Sequence, residues 1–147
     1  MLTGLTSAIL KDFAEETIAG IRSRIPNVSG TMSNSLGYRI DRDGLTIFSS
    51  QKYFTVLETG RKPGKRPPIS VIEEWVKAKP IASDISPRSL AFLIARKIGE
   101  EGSLLYRQGG KSGVISKSIN EQSIKEGLTD RLTSTLREYV INEFIKQ

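Results

Sequence analysis

The sequence predicts an α+β domain, a small antiparallel sheet flanked by helices, and two observations carry that prediction. Apolar residues recur at helical spacing in four stretches, Thr3 to Ile25, Ile69 to Lys79, Pro87 to Glu101 and Leu128 to Ile145. Between the first two, Ser35 to Ser50 alternates apolar with small or polar residues around a central Asp-Gly, the pattern of a hairpin. With 147 residues the expectation is a single domain over 1-147, long enough to bury roughly two-thirds of the surface its unfolded chain exposes.

The first stretch places Leu5, Ile9, Phe13, Ile18, Ile21 and Ile25 on one face of a long N-terminal helix, with Lys11, Asp12, Glu15, Glu16, Arg22 and Arg24 opposite and Pro26-Asn27 as its stop. Val28 to Asn34 reads as a turn with a short helical piece. In the hairpin, Leu36, Tyr38 and Ile40 form one strand and Leu45, Ile47 and Phe48 the return, reversed at Asp43-Gly44. Asp41 and Asp43 are explained by turn chemistry, since aspartate bonds its own backbone there, so no metal is assigned. Tyr53 to Glu58 fits either a third strand or a short helix. Two middle helices follow. Ile69 to Lys79 ends at Pro80, and Pro87 to Glu101 is opened by Ser86-Pro87 and closed by Gly102. Leu104 to Gly113 reads as a flexible loop around Gly109-Gly110, and Val114 to Ile119 as a short extended piece. A C-terminal helix carries Leu128, Leu132, Leu136, Val140 and Phe144 at four-residue steps.

Charge is distributed unevenly. Lysine and arginine balance aspartate and glutamate at six each over residues 1–60 and at five each over 114–147, whereas 61–113 holds eleven cations against five carboxylates. The whole net charge of +6 therefore lies in the middle third and implies an acidic partner surface, nucleic acid or protein. Its densest part is Tyr53 to Pro68, YFTVLETGRKPGKRPP. Tyr53, Phe54 and Leu57 are expected to be largely buried as the anchor of a stiff loop in which Pro63, Pro67 and Pro68 restrict the backbone and Arg61, Lys62, Lys65 and Arg66 face a partner. Glu58, just before Gly60, is expected to make a structural ion pair or to bond loop amides.

The residue inventory argues against an enzyme. Without histidine or cysteine there is no Ser-His-Asp triad, thiol nucleophile or Cys/His zinc site. Gly110-Lys111-Ser112 has the end of a phosphate-binding loop, but the first glycine of that motif would fall on Leu105. The adjacent pairs Glu73-Glu74 and Glu100-Glu101 point about 100° apart on their helices and do not form acid/base pairs. No cofactor is expected. The absence of cysteine, an N-terminus unlike a signal peptide and the lack of any long apolar run predict a soluble intracellular product with no membrane partner.

The ordered segments YFTVLETG, RKPGKRPP, ISVIEEWVKAK and SLAFLIARKIGEEG, preceded by SGTMSNSL, together resemble the tail-completion, or putative tail-component, family of long-tailed bacteriophages, which is related to minor tail protein Z. The resemblance covers roughly Ser29 to Gly113, with one departure at Arg61, where members often carry a small residue such as Thr. It implies a virion structural protein at the neck, assembled in the host cytoplasm as a homo-oligomeric ring joining the head connector to the tail tube. Six-fold symmetry is favoured and twelve-fold is the alternative, with neighbouring head-connector and tail proteins as partners and DNA passing through the lumen without sequence-specific binding. The stiffness and charge of the segment itself assign docking to Glu58, Gly60, Arg61, Lys62, Lys65 and Arg66. A different class also fits the composition, a small basic nucleic-acid-binding protein with Arg61 to Arg66 on phosphates and Tyr53 or Tyr106 stacking on bases. A third reading is a small-substrate enzyme using Glu58 and Arg61.

Overall fold

The order of elements, in a computed structural model that describes residues 2–25, 30–79 and 81–145, is α1 (Leu2–Arg24), α2 (Thr31–Asn34), β1 (Leu36–Asp41), β2 (Gly44–Ser49), α3 (Val56–Thr59), α4 (Ile69–Ala78), α5 (Pro87–Glu101), α6 (Leu104–Arg107), α7 (Glu121–Ile124), a π-helical turn (Lys125–Thr129) and α8 (Asp130–Ile145). The class is α+β, as the periodicities predict. The helix stops assigned to Pro26-Asn27 and Pro80, and the start of the turn at Val28, lie outside the described residues. The chain forms two compact units, one of Met1–Ile25, Ser33–Gln51 and Gly113–Gln147, the other of Pro26–Met32 and Lys52–Ser112.

In the first unit α1 supplies most of the core. Phe13, Ala14, Thr17, Ile18, Ile21 and Ile25 are buried, close to the expected face, whereas Leu5 near its start is exposed. The hairpin lies against this helix through Leu36, and Tyr38 donates its hydroxyl to Glu15 at 3.2 Å. Burial, with the bond to Glu15 adding to it, raises the Tyr38 pKa above its usual value. Register pairs Leu36 with Ser49, Tyr38 with Ile47 and Asp41 with Gly44. The reversal is thus made by Arg42-Asp43, and Gly44, at φ +126°, follows the corner instead of forming it. Asp41 accepts the Asp43 amide and the Arg39 guanidinium, both at 3.0 Å, so its carboxylate serves the turn. Phe48 lies across Gly37 on the neighbouring strand, where a Cβ would sit 3.0 Å from its ring.

Val114 to Ile119 is not extended. Ile119 and Ser118 both donate to the Ile115 carbonyl at 2.9 Å, closing helical turns that put Val114 and Ser118 on one buried side. Ser118 accepts the Arg24 guanidinium at 2.6 Å, and the same guanidinium nitrogen bonds the Gly20 carbonyl at 2.9 Å. A strand here would have no ladder partner, whereas the coiled form satisfies its own backbone.

Helical structure at this end of the chain begins at Glu121, in α7 and the π turn, ahead of the expected start at Leu128. Asn120 caps α7 by accepting the Ser123 amide at 2.9 Å. At the π turn Gly127 meets α1 so closely that a Cβ would stand 2.8 Å from the Phe13 ring. Beyond it Arg131 grips Glu16 with two bonds of 3.0 Å, which raises the arginine pKa further. Gly127→Ala is expected to push Phe13 off its seat and destabilise the protein by about 1–3 kcal/mol, the usual range for overpacking, read from urea denaturation.

The second unit is built on α4 against α5. Val76 is buried, and Ala91 and Ala95 are almost wholly so, small side chains that let two helices approach closely. Ser86 caps α5 by accepting the Ser89 amide at 3.2 Å, with Pro87 in the first turn, and Gly102 ends it at φ +84°. Part of the expected loop at Leu104 is helical, because Ser103 caps α6 by accepting the Tyr106 amide. Gly109 and Gly110 take φ of +99° and +63°, as a glycine pair permits.

Candidate functional site

The basic segment leaves one helix end and passes another. Tyr53 to Glu58 resolves as a turn leading into α3, the helical alternative, and α3 ends at Gly60 with φ +74° and ψ 174°. Gly102, at the end of α5, has nearly the same backbone, φ +84° and ψ 171°. Both values lie in a region open essentially to glycine alone. The two exits run side by side. The Arg61 amide donates to Ser103 Oγ at 2.9 Å, and the Ser103 amide donates back to the Arg61 carbonyl at 2.9 Å. Four residues past Gly60, the Gly64 amide donates to the Gly99 carbonyl at 2.8 Å.

Two further contacts clamp the start of the segment. Ser112 donates its hydroxyl to the Leu57 carbonyl at 2.6 Å and its amide to the Glu58 carbonyl at 3.1 Å. Gly110 passes so near Thr59 that a Cβ would lie 2.6 Å from the Thr59 carbonyl oxygen. Ser112, suggested by its neighbours as a phosphate-loop residue, therefore holds α3 in place. The Glu58 carboxylate lies 3.4 Å from the same Ser112 hydroxyl, beside the clamp.

The anchor differs from the expectation. Tyr53 is 54% exposed, and Phe54 and Leu57 are half-buried, so an aromatic core does not hold the loop. Tyr53 lies in the turn before α3 and offers its ring to Arg61, whose guanidinium carbon is 5.6 Å from the ring centre. Residues that do hold the loop are Gly60 and Pro67, both buried, and the backbone bonds to Gly99 and Ser103. The Arg66 stem occupies the space left by Gly99, where a Cβ would be 2.6 Å from Arg66 Cγ. Sequence reasoning missed Gly99 and Ser103, and gave Gly102 only as a helix end and Ser112 only as part of an incomplete phosphate-loop motif. The one signal available was that Gly102-Ser103 repeats, at the end of a second helix, the glycine exit seen at Gly60.

Cations project from this frame. Lys62, Lys65 and Arg66 are exposed, Arg61 turns back to donate to the Lys65 carbonyl at 3.2 Å, and Arg66 stands 6.0 Å from the centre of the Phe92 ring. Among the described residues no carboxylate pairs with any of the four. The acidic helix faces are mostly engaged with their own cations: Glu73 with Lys77 at 2.8 Å, Glu100 with Arg96 at 3.3 Å, and Glu101 with Arg107 at 3.0 Å. The hydrogen bond from Lys77 holds the Glu73 carboxyl below its usual pKa. An open cleft of about 470 Å³ beside the loop is walled by Gly60, Lys62, Tyr106 and Arg107, a setting suited to an anionic group.

Comparison with family models, with curated proteins and with solved structures gives no match for this chain.

Proposed function

We propose that the chain is a virion structural protein of a long-tailed bacteriophage, one subunit of a ring at the neck between the head connector and the tail tube. The observation that carries this reading is the basic loop, fastened at Gly60, Gly64 and Pro67 yet carrying four cations that no carboxylate among the described residues pairs with. A loop already ordered before it meets a partner loses little entropy on docking, which suits a repeated assembly contact. The ordered resemblance over Ser29 to Gly113 adds the kind of partner, copies of the same chain and neighbouring neck proteins, with DNA in the lumen. In this reading the protein acts by self-association and docking without a catalytic step.

The test is the native mass of the purified protein and of the form released from particles. Six, or alternatively twelve, times the 16.3 kDa subunit is expected, and a strictly monomeric species in the intact particle would sink the proposal. The unpaired cations also favour the second reading, nucleic-acid binding, so the two are separated directly. The isolated subunit is expected to show little retention on immobilised DNA at moderate salt. Tight binding whose salt slope falls by about one unit for each phosphate contact removed from Arg61, Lys62, Lys65 or Arg66 would favour the nucleic-acid reading.

A further inference from the structure

Helix α8 is apolar on two sides. Leu128, just before it, together with Leu132 and Tyr139, is half-buried on the flank turned towards α1. The opposite flank carries Leu136, Val140, Ile141, Phe144 and Ile145, all exposed, Phe144 and Ile145 by 73% and 75%. At about 100° per residue these five form one stripe, interrupted by Arg137 and edged by Glu143 on the Val140 side and Glu138 on the Ile141 side. A helix apolar on both flanks is built to be covered on both, and a contiguous apolar patch of this kind marks an interaction surface.

A complementary surface exists in the other unit. Ile69, Ile85, Phe92 and Leu93, each between 37% and 48% exposed, line a groove of about 520 Å³ between the start of α4 and α5. Its border is cationic. Arg88 is one of the lining residues, and the Arg66 guanidinium lies over the Phe92 ring. An apolar stripe edged by carboxylates thus matches an apolar groove edged by guanidiniums, the arrangement in which a helix is held in a groove by side chains one turn apart.

We propose that the outer face of α8 of one copy seats in the α4–α5 groove of the next copy, with Phe144 and Val140 on Phe92 and Leu93 and the two glutamates towards Arg66 and Arg88. The contact is heterologous, one patch on each copy meeting a different patch on its neighbour, and repetition of it closes a ring if the rotation permits. It rests on the ring reading above and adds which surfaces make the joint. It also gives Arg66 a role, one of the four loop cations answering the acidic edge of α8.

The chain contains no cysteine, so single cysteines report cleanly. Chains carrying Arg137→Cys are mixed with size-tagged chains carrying Ser89→Cys and treated with a short bismaleimide. Both positions are exposed and neither is one of the apolar residues of the joint. Cross-linked pairs of unequal size are expected to predominate, and Phe144→Asp is expected to weaken self-association by at least about tenfold, as for an interface hot spot. Pairs of equal size alone, or no pairs while the native mass still shows a ring, would overturn this joint and leave the ring reading standing. A monomer at all concentrations would overturn both. In a chain carrying both cysteines an intermolecular ladder supports the joint, whereas intramolecular product alone means that α8 covers its own groove and overturns it.

Discussion

Gly60→Ala is expected to lower stability by about 3 kcal/mol or more, although the change adds one methyl group. Two costs combine. A residue with a side chain at φ +74° and ψ 174° carries a backbone penalty of about 1–3 kcal/mol. Its Cβ would also stand 2.4 Å from the Tyr106 amide nitrogen and 2.7 Å from Ser103 Oγ, and inserting a methyl group where nothing can yield costs about 1–3 kcal/mol again. Gly64→Ala separates the two. Gly64 also has positive φ, +132°, but a Cβ there meets nothing within 4 Å, so only the backbone penalty is expected. Denaturant midpoints of the two variants give the comparison. If Gly60→Ala were no worse than Gly64→Ala, the side-by-side passage of the two helix exits would not be what fixes the loop.

Neutralising Arg61, Lys62, Lys65 and Arg66 together to glutamine is expected to do the reverse, leaving the fold nearly untouched while slowing or misregistering assembly. Stability should change by less than about 1 kcal/mol, because exposed charges without partners contribute little to the folded state. Arg66 retains, as glutamine, part of the stem that fills the space over Gly99. Assembly should suffer because the four charges act on encounter and register, where complementary charge has its largest effect. The measurements are thermal unfolding of the subunit and the yield of oligomer or particle. A variant that unfolds but still assembles when stabilised would reverse the roles assigned to backbone and charge.

Much of the fold was legible because its signals are local. The spacing of Phe13, Ile18, Ile21 and Ile25 reports a helix face, and Ser86-Pro87 and Gly102 mark helix ends by the chemistry of capping. Position in space is not local, and there the reading failed. Tyr53 is apolar enough for a core, but its burial depends on what lies opposite, which is the Arg61 guanidinium and solvent. Val114 and Ser118 are buried as a pair one helical turn apart, a relation invisible when Val114 to Ile119 is read for alternation. The row Leu128, Leu132, Leu136, Val140, Phe144 looked like one face. Steps of four residues overshoot a full turn by about 40° each, so the row winds around the helix. It starts half-buried at Leu128 and Leu132 and ends with Phe144 exposed.

For the loop, the sequence revealed composition and stiffness and hid the fastening. Proline and the run of cations were visible in Tyr53 to Pro68, whereas Gly99, Ser103 and Ser112 hold it from about 35 to 55 residues away, by bonds that all end on backbone groups of the loop. Backbone donors and acceptors are the same at every non-proline position, so no residue type announces such a bond.

The π turn at Lys125–Thr129 has a consequence for the helix that follows it. Widening one turn by a residue offsets the rotational phase of every later side chain by about 100° relative to an uninterrupted α-helix. The order of residues in α8 therefore does not by itself decide which of its flanks is inside. The turn decides it, with Gly127 against Phe13 within it and Arg131 on Glu16 after it recording the setting. Loss of a single residue there would rotate the glutamates and aromatics of α8 by about 100° as a block, turning a different flank inwards without altering any residue of α8.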